Sequence, residues 1–177
     1  MAIATTIPAS TRVHKRVGAL EPIAVTEISK DLRQLLADVF ALYVKTKGAH
    51  WHISGGHFRD YHLLLDEQAE QIFAMTDEIA ERTRKIGGTS LHSIAEIAQH
   101  KRLSDQTDSV TAQSLLWGLV IDNEQLLASL RNSHELCAQH NDVATTSLIE
   151  VWTDQTERRL WFLNATLEGD PTHRSTE

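Results

Sequence analysis

His50, His62, Asp66, Asp77 and Glu81 are the residues of this chain whose types and spacing best suit chemistry. His62 and Asp66 are four apart, as are Asp77 and Glu81. Positions i and i+4 of an α-helix share a face, so each pair can present two ligand side chains together. Asp77 lies eleven residues beyond Asp66. At about 1.5 Å and about 100° per residue, that is roughly 16 Å along the axis and nearly the same face. One stripe thus carries two chelating pairs, too far apart to hold a single metal ion. A second copy of this helix, antiparallel across a two-fold axis, would set His62 and Asp66 of one chain opposite Asp77 and Glu81 of the other. The spacing points to a metal site shared between subunits, and so to an oligomer.

With His50 the donor set is two imidazoles and three carboxylates, without thiolate. Such donors suit iron, manganese or zinc better than copper(I) or a structural zinc site, and carboxylates favour holding ferric iron. An i,i+4 acidic pair on a long helix is also what an ordinary solvated face looks like. On the residues alone the two readings stand side by side.

The elements that must carry these residues are helical throughout. From about Val25 to Ile53, Ile28, Leu32, Leu35, Leu36, Val39, Phe40 and Tyr43 follow a spacing of three and four, with Thr26 as a plausible cap. Gly55-Gly56 ends this helix, and a second runs from about Phe58 to Ile86 until Gly87-Gly88. Residues 93–100 predict a short helix capped by Ser93 or Ser90, and Leu103 to Asp108 a polar loop. A third long helix is predicted from about Thr111 to His140 and a fourth from about Val143 to Leu167. The fourth carries Leu148, Val151, Trp152, Leu160, Trp161 and Leu163. No strand pattern appears. Four long helices with one long middle connection predict an all-α four-helix bundle with a crossover, the ferritin-like topology. Residues 23–168 form the predicted domain, with a flexible tail over 1–22 and a short polar tail over 169–177.

The composition bounds the function. The chain has 177 residues, 41% hydrophobic and 23% charged, which suits one soluble domain. No apolar run reaches the about 20 residues that a membrane helix needs, and the N-terminus lacks the order of a secretory signal. A lone Cys137 excludes an intramolecular disulfide. A cytoplasmic address is expected, with the nucleoid as a second possibility. A formal net charge of −7 argues against a whole-surface nucleic-acid binder. Ten histidines are many, and their crowding around residues 50–62 is the informative part.

The segment KGAHWHISGGHFRDYHLLLDEQAEQIFAMTDEIAER closely resembles the signature of the Dps family, the miniferritins. The matching positions are His50-Trp51, Gly55, Phe58, His62, Asp66, Asp77, Glu81 and Arg82, and the late LWFL at Leu160 to Leu163 resembles the family's final helix. The resemblance spans about residues 25–168. It implies a hollow dodecameric shell with ferroxidase sites at two-fold interfaces, built from His50, His62 and Asp66 of one subunit and Asp77 and Glu81 of its mate. It also implies oxidation of Fe(II), preferably by hydrogen peroxide, and storage of the ferric mineral in protection against oxidative damage. Trp51 and Trp161 resemble aromatic residues proposed to supply electrons near such sites, with core packing as the alternative for both. Ferritins that build a di-iron centre inside one bundle need Glu-x-x-His pairs. No histidine here has Glu three residues before it.

Three further expectations concern the surroundings. His52 and His57 are either surface histidines or an auxiliary metal position. Asp142, Glu150 and Asp154 lie where the family lines its ion pores, with solvated helix face as the alternative. The N-terminal tail holds only Arg12, Lys15 and Arg16 against Glu21, and the C-terminal tail has more acid than base, so DNA binding is expected to be weak or absent. The rival functions are a nucleoid-binding structural protein, and a shell that buffers zinc or manganese at the same ligands without redox turnover.

Overall fold

The protein is described here from a computed structural model covering residues 20–105 and 111–168. Most of the predicted tails and residues 106–110, which include the end of the predicted polar loop, lie outside the described residues. The elements are α1 (Pro22–His52), α2 (Phe58–Lys85), α3 (Ile94–His100), α4 (Ala112–Gln139) and α5 (Val143–Glu168). Among the described residues there is no strand. The antiparallel pair α1 and α2 packs against the pair α4 and α5, with α3 lying against α1.

Local chemistry explains the boundaries. α1 starts three residues earlier than the periodicity predicts, because Pro22 at its first turn has the fixed φ that a helix start requires. Thr26 is therefore not its cap; its hydroxyl donates to the Pro22 carbonyl at 2.9 Å inside the first turn. α2 ends where Gly87 takes φ +95°, letting Gly87 N–H reach Arg84 O and Gly88 N–H reach Thr83 O. Gly88 has a second reason to be glycine, since a Cβ there would stand 1.9 Å from Ser29 Oγ. Ser93, not Ser90, caps α3 by accepting from Glu96 N–H. Thr111 and Ser114 form a capping box at α4.

The core is one cluster drawn from all four long helices, including Ile28, Leu35, Leu65, Ile72, Leu126 and Trp152, each essentially inaccessible. Several members of the predicted apolar stripes do not belong to it, the half-exposed Phe73 among them. Trp161 is 68% exposed and Val151 is 51% exposed, whereas Trp152 is buried and donates its indole N–H to Glu78 Oε2 at 2.7 Å. Leu103, predicted as part of a polar loop, is buried; Arg102 beside it donates through its backbone N–H and Nε to the buried Asp38. This clamp holds the middle connection against α1.

Asp142 is likewise not a solvated acid. It is buried, accepts from Arg82 Nη2 at 2.6 Å and from the Thr145 hydroxyl at 2.5 Å, and caps α5 through Thr145 N–H. A carboxylate so enclosed cannot line a pore. Removing one partner of a buried ion pair leaves the other charge without compensation. Asp142→Ala is therefore expected to cost about 3 kcal/mol, read as a lower denaturation midpoint. A loss below about 1 kcal/mol would show that Arg82 finds water instead.

Candidate metal centre

The end of α1 and the start of α2 bring three of the predicted ligands into one corner. His50 is 8% exposed and its ring stacks on that of His62, with centroids 3.7 Å apart. His50 Nδ1 lies 2.8 Å from the His62 carbonyl, and His62 Nδ1 lies 3.1 Å from the His50 carbonyl. A carbonyl only accepts, so each Nδ1 carries the proton and donates. In the neutral ring the lone pair is then on Nε2, the form in which imidazole binds metal. The reciprocal bonds fix both the tautomer and the ring orientation. They exist because Gly55, at φ +111°, reverses the chain tightly enough to lay His62 beside His50.

Asp66 completes the corner, its Oδ1 3.9 Å from His50 Nε2. The same oxygen accepts from Lys47 Nζ at 2.6 Å, and this hydrogen bond holds the Asp66 carboxyl below its usual range. Lys47 was not among the predicted site residues. It stands three before His50, on the same face of α1, and that spacing was the available signal. The ammonium group occupies the position that a cation on the predicted ligand Asp66 would take. Lys47→Met removes this competitor, and zinc used as a redox-inert probe is expected to bind about 2–5-fold more tightly, the range an exposed ion pair is worth. Unchanged affinity in a titration would place the metal away from this oxygen.

Asp77 and Glu81 lie elsewhere. Both are exposed on α2, and Glu81 accepts from Lys85 Nζ at 2.8 Å, which holds its carboxyl below the usual range. Asp77 opens onto a groove of about 650 Å³ between α1, α2 and α3, walled by Phe40, Phe73, Leu91 and Ile94. Among the described residues, no group of three or more His, Cys, Asp or Glu side chains within the chain could hold a metal ion. One chain therefore holds the predicted ligands in two separate groups.

The remaining predicted residues are accounted for individually. Trp51 is 65% exposed beside His50, so neither it nor Trp161 packs in this chain's core. His52 donates from Nδ1 to the Gly48 carbonyl and His57 lies 4.0 Å from Asp60, both on the surface. Arg82 braces Asp142 and Thr145. Cys137 is buried, which pushes its thiol up to about 12 and leaves no thiolate for chemistry at neutral pH.

Known proteins share this fold. A family model of the ferritin-like domain matches residues 29–171. Antigen TpF1 of Treponema pallidum is 32% identical over 166 residues, covering 90% of this chain and 94% of that protein. Its crystal structure matches with a TM-score of 0.81 at 31% identity, covering 86% of this chain and 98% of that one. DNA protection during starvation protein 1 of Deinococcus radiodurans is 30% identical over 152 residues, covering 85% and 73% of the two chains. The Dps protein of Vibrio cholerae, described as a member of a broad superfamily of ferritin-like diiron-carboxylate proteins, matches with a TM-score of 0.80 at 29% identity, covering 84% and 93%. The chain therefore belongs to the ferritin-like domain family, in its Dps or miniferritin branch.

Proposed function

We propose that this chain is the subunit of a hollow twelve-subunit shell that oxidises ferrous iron, with hydrogen peroxide as the preferred oxidant, and stores the ferric product. The observation that carries this reading is the stacked imidazole pair with both Nδ1 atoms spent on carbonyls and His50 Nε2 facing Asp66 at 3.9 Å. A pair held this way is pre-organised for a metal substrate.

In this reading His50 and His62 offer Nε2 lone pairs to ferrous ion, Asp66 supplies a carboxylate, and Asp77 and Glu81 of the mate supply two more. The carboxylates favour the ferric product by charge. Each ferrous ion gives up one electron, and peroxide takes two electrons and two protons to become two waters, so two ferrous ions are consumed per peroxide. Hydrolysis of the ferric product to the stored oxide then releases protons to solvent. Trp51, exposed next to His50, is placed to be covered at the same interface. The groove beside Asp77 and the exposed Phe73 and Ile94 supply apolar surface for a mate to bury. The interior of the bundle is not a rival iron site, because the buried guanidinium of Arg159 occupies it.

No helix among the described residues is long and apolar enough to cross a membrane. A cytoplasmic shell is the proposed setting, as peroxide defence there requires. The relatives' names speak of DNA protection. With −7 per chain, protection here comes from removing iron and peroxide together rather than from coating DNA.

The test is anaerobic loading of the purified protein with ferrous iron, then stoichiometric peroxide, followed by gel filtration. Rapid oxidation with iron co-eluting in a particle near twelve subunits is expected. A dodecamer that binds metal without accelerating oxidation would make it a buffering shell, and a monomer or dimer would overturn the assembly.

A further inference from the structure

Arg159, near the middle of α5, is 1% exposed. Its side-chain partners are all neutral: Nε donates to Asn123 Oδ1 at 3.0 Å, Nη2 donates to Thr156 Oγ1 at 2.8 Å, and Nη2 lies 3.9 Å from Met75 Sδ. No protein group accepts from Nη1, which is itself buried. On α2, Gln68 is buried too, with its Oε1 unpartnered and its Nε2 making only a long 3.4 Å bond to the Arg159 carbonyl. A narrow niche between α2 and α5, about 10 Å³, reaches both residues past Leu64, Gln71 and Phe162. Arg158 and Glu67 pair across 3.9 Å on its lining, so they cancel each other in charge.

A buried charge is normally matched by an opposite one, because the interior screens it poorly and solvates it less. Burial lowers the Arg159 pKa only to about 10, so the group stays a cation at neutral pH. A water molecule at Nη1 would complete the hydrogen bonding and leave the charge uncompensated. We propose that Arg159 Nη1 and the Gln68 amide form an internal site for one small monovalent anion of the chloride class, admitted between α2 and α5. The niche is small, which favours a monatomic anion over phosphate, sulfate and carboxylates. The long Gln68 bond gives way readily, so the amide can turn its Nε2 toward the anion.

The test needs the purified full-length protein and two measurements. Crystals soaked in bromide are expected to show an anomalous peak within hydrogen-bond distance of Arg159 Nη1. The wild-type thermal midpoint is expected to be at least about 2 °C higher in chloride than in gluconate at equal ionic strength, since gluconate is too large to enter. Arg159→Met should abolish both effects. Should that variant fail to fold, Gln68→Met, which keeps the guanidinium, should at least halve the midpoint difference. Density at Nη1 without anomalous signal and equal midpoints in the two salts would overturn the proposal in favour of a bound water. A bromide peak with equal midpoints would overturn it as an adventitious ion only.

Discussion

Replacing Asp66 and Glu81 together by alanine is expected to slow peroxide-driven oxidation of ferrous iron at least about 100-fold while leaving the particle size unchanged. The two effects separate because of what each residue touches. Asp66 interacts with Lys47 and His50, and Glu81 with Lys85, so neither holds the bundle together. An interface draws its stability from buried apolar area, to which two exposed carboxylates add little. The remaining imidazoles would still bind some ferrous ion, but with no negative charge to favour the ferric state. Stopped-flow absorbance of ferric product, with light scattering on the same samples, reads both quantities. Fast oxidation retained by the double variant would move the reaction elsewhere on the protein.

Co-assembly of two inactive variants is expected to restore activity, and this asks specifically whether the site is shared. One variant carries His62→Ala and Asp66→Ala, the other Asp77→Ala and Glu81→Ala. An isologous two-fold interface holds two equivalent sites. In a mixed pair, one site receives both sets of lost ligands and the other receives none, so the second is complete. Random mixing makes about half of the interfaces mixed, and the expected rate is about a quarter of wild type. Shells of either variant alone should remain inactive. If the mixed shells are also inactive although mass spectrometry shows both chains present, the ligands do not meet across a two-fold interface. The separation of about 16 Å along α2 makes this a sharp choice, because the two sets cannot meet within one straight helix.

Much of the fold was legible in the sequence. Helix periodicity, the glycine pairs that end α1 and α2, and a serine cap for α3 act within a few residues of one another, so sequence spacing reports them directly. Ligand spacing on α2 is of the same kind: four residues on a helix mean one face, whatever the helix packs against. The one cap misread, Thr26, failed because proline at Pro22 offered a better local start.

The sequence by itself thus determined an all-helical bundle, the order and approximate bounds of its helices, and a stripe bearing two i,i+4 pairs of ligand-type residues. Tertiary structure decided which apolar residues face inward. Trp152 and Trp161 are nine residues apart, close to half a turn out of phase, so they cannot both be in the core, and their chemistry does not say which one is. The rotation of α5 against α2 and α4 chose Trp152. The same docking enclosed Asp142 against Arg82 and brought Arg159 to Asn123, contacts between residues 60 and 36 positions apart. Helix rotation is set by many weak packing contacts summed over whole faces, and no short stretch of sequence encodes that sum.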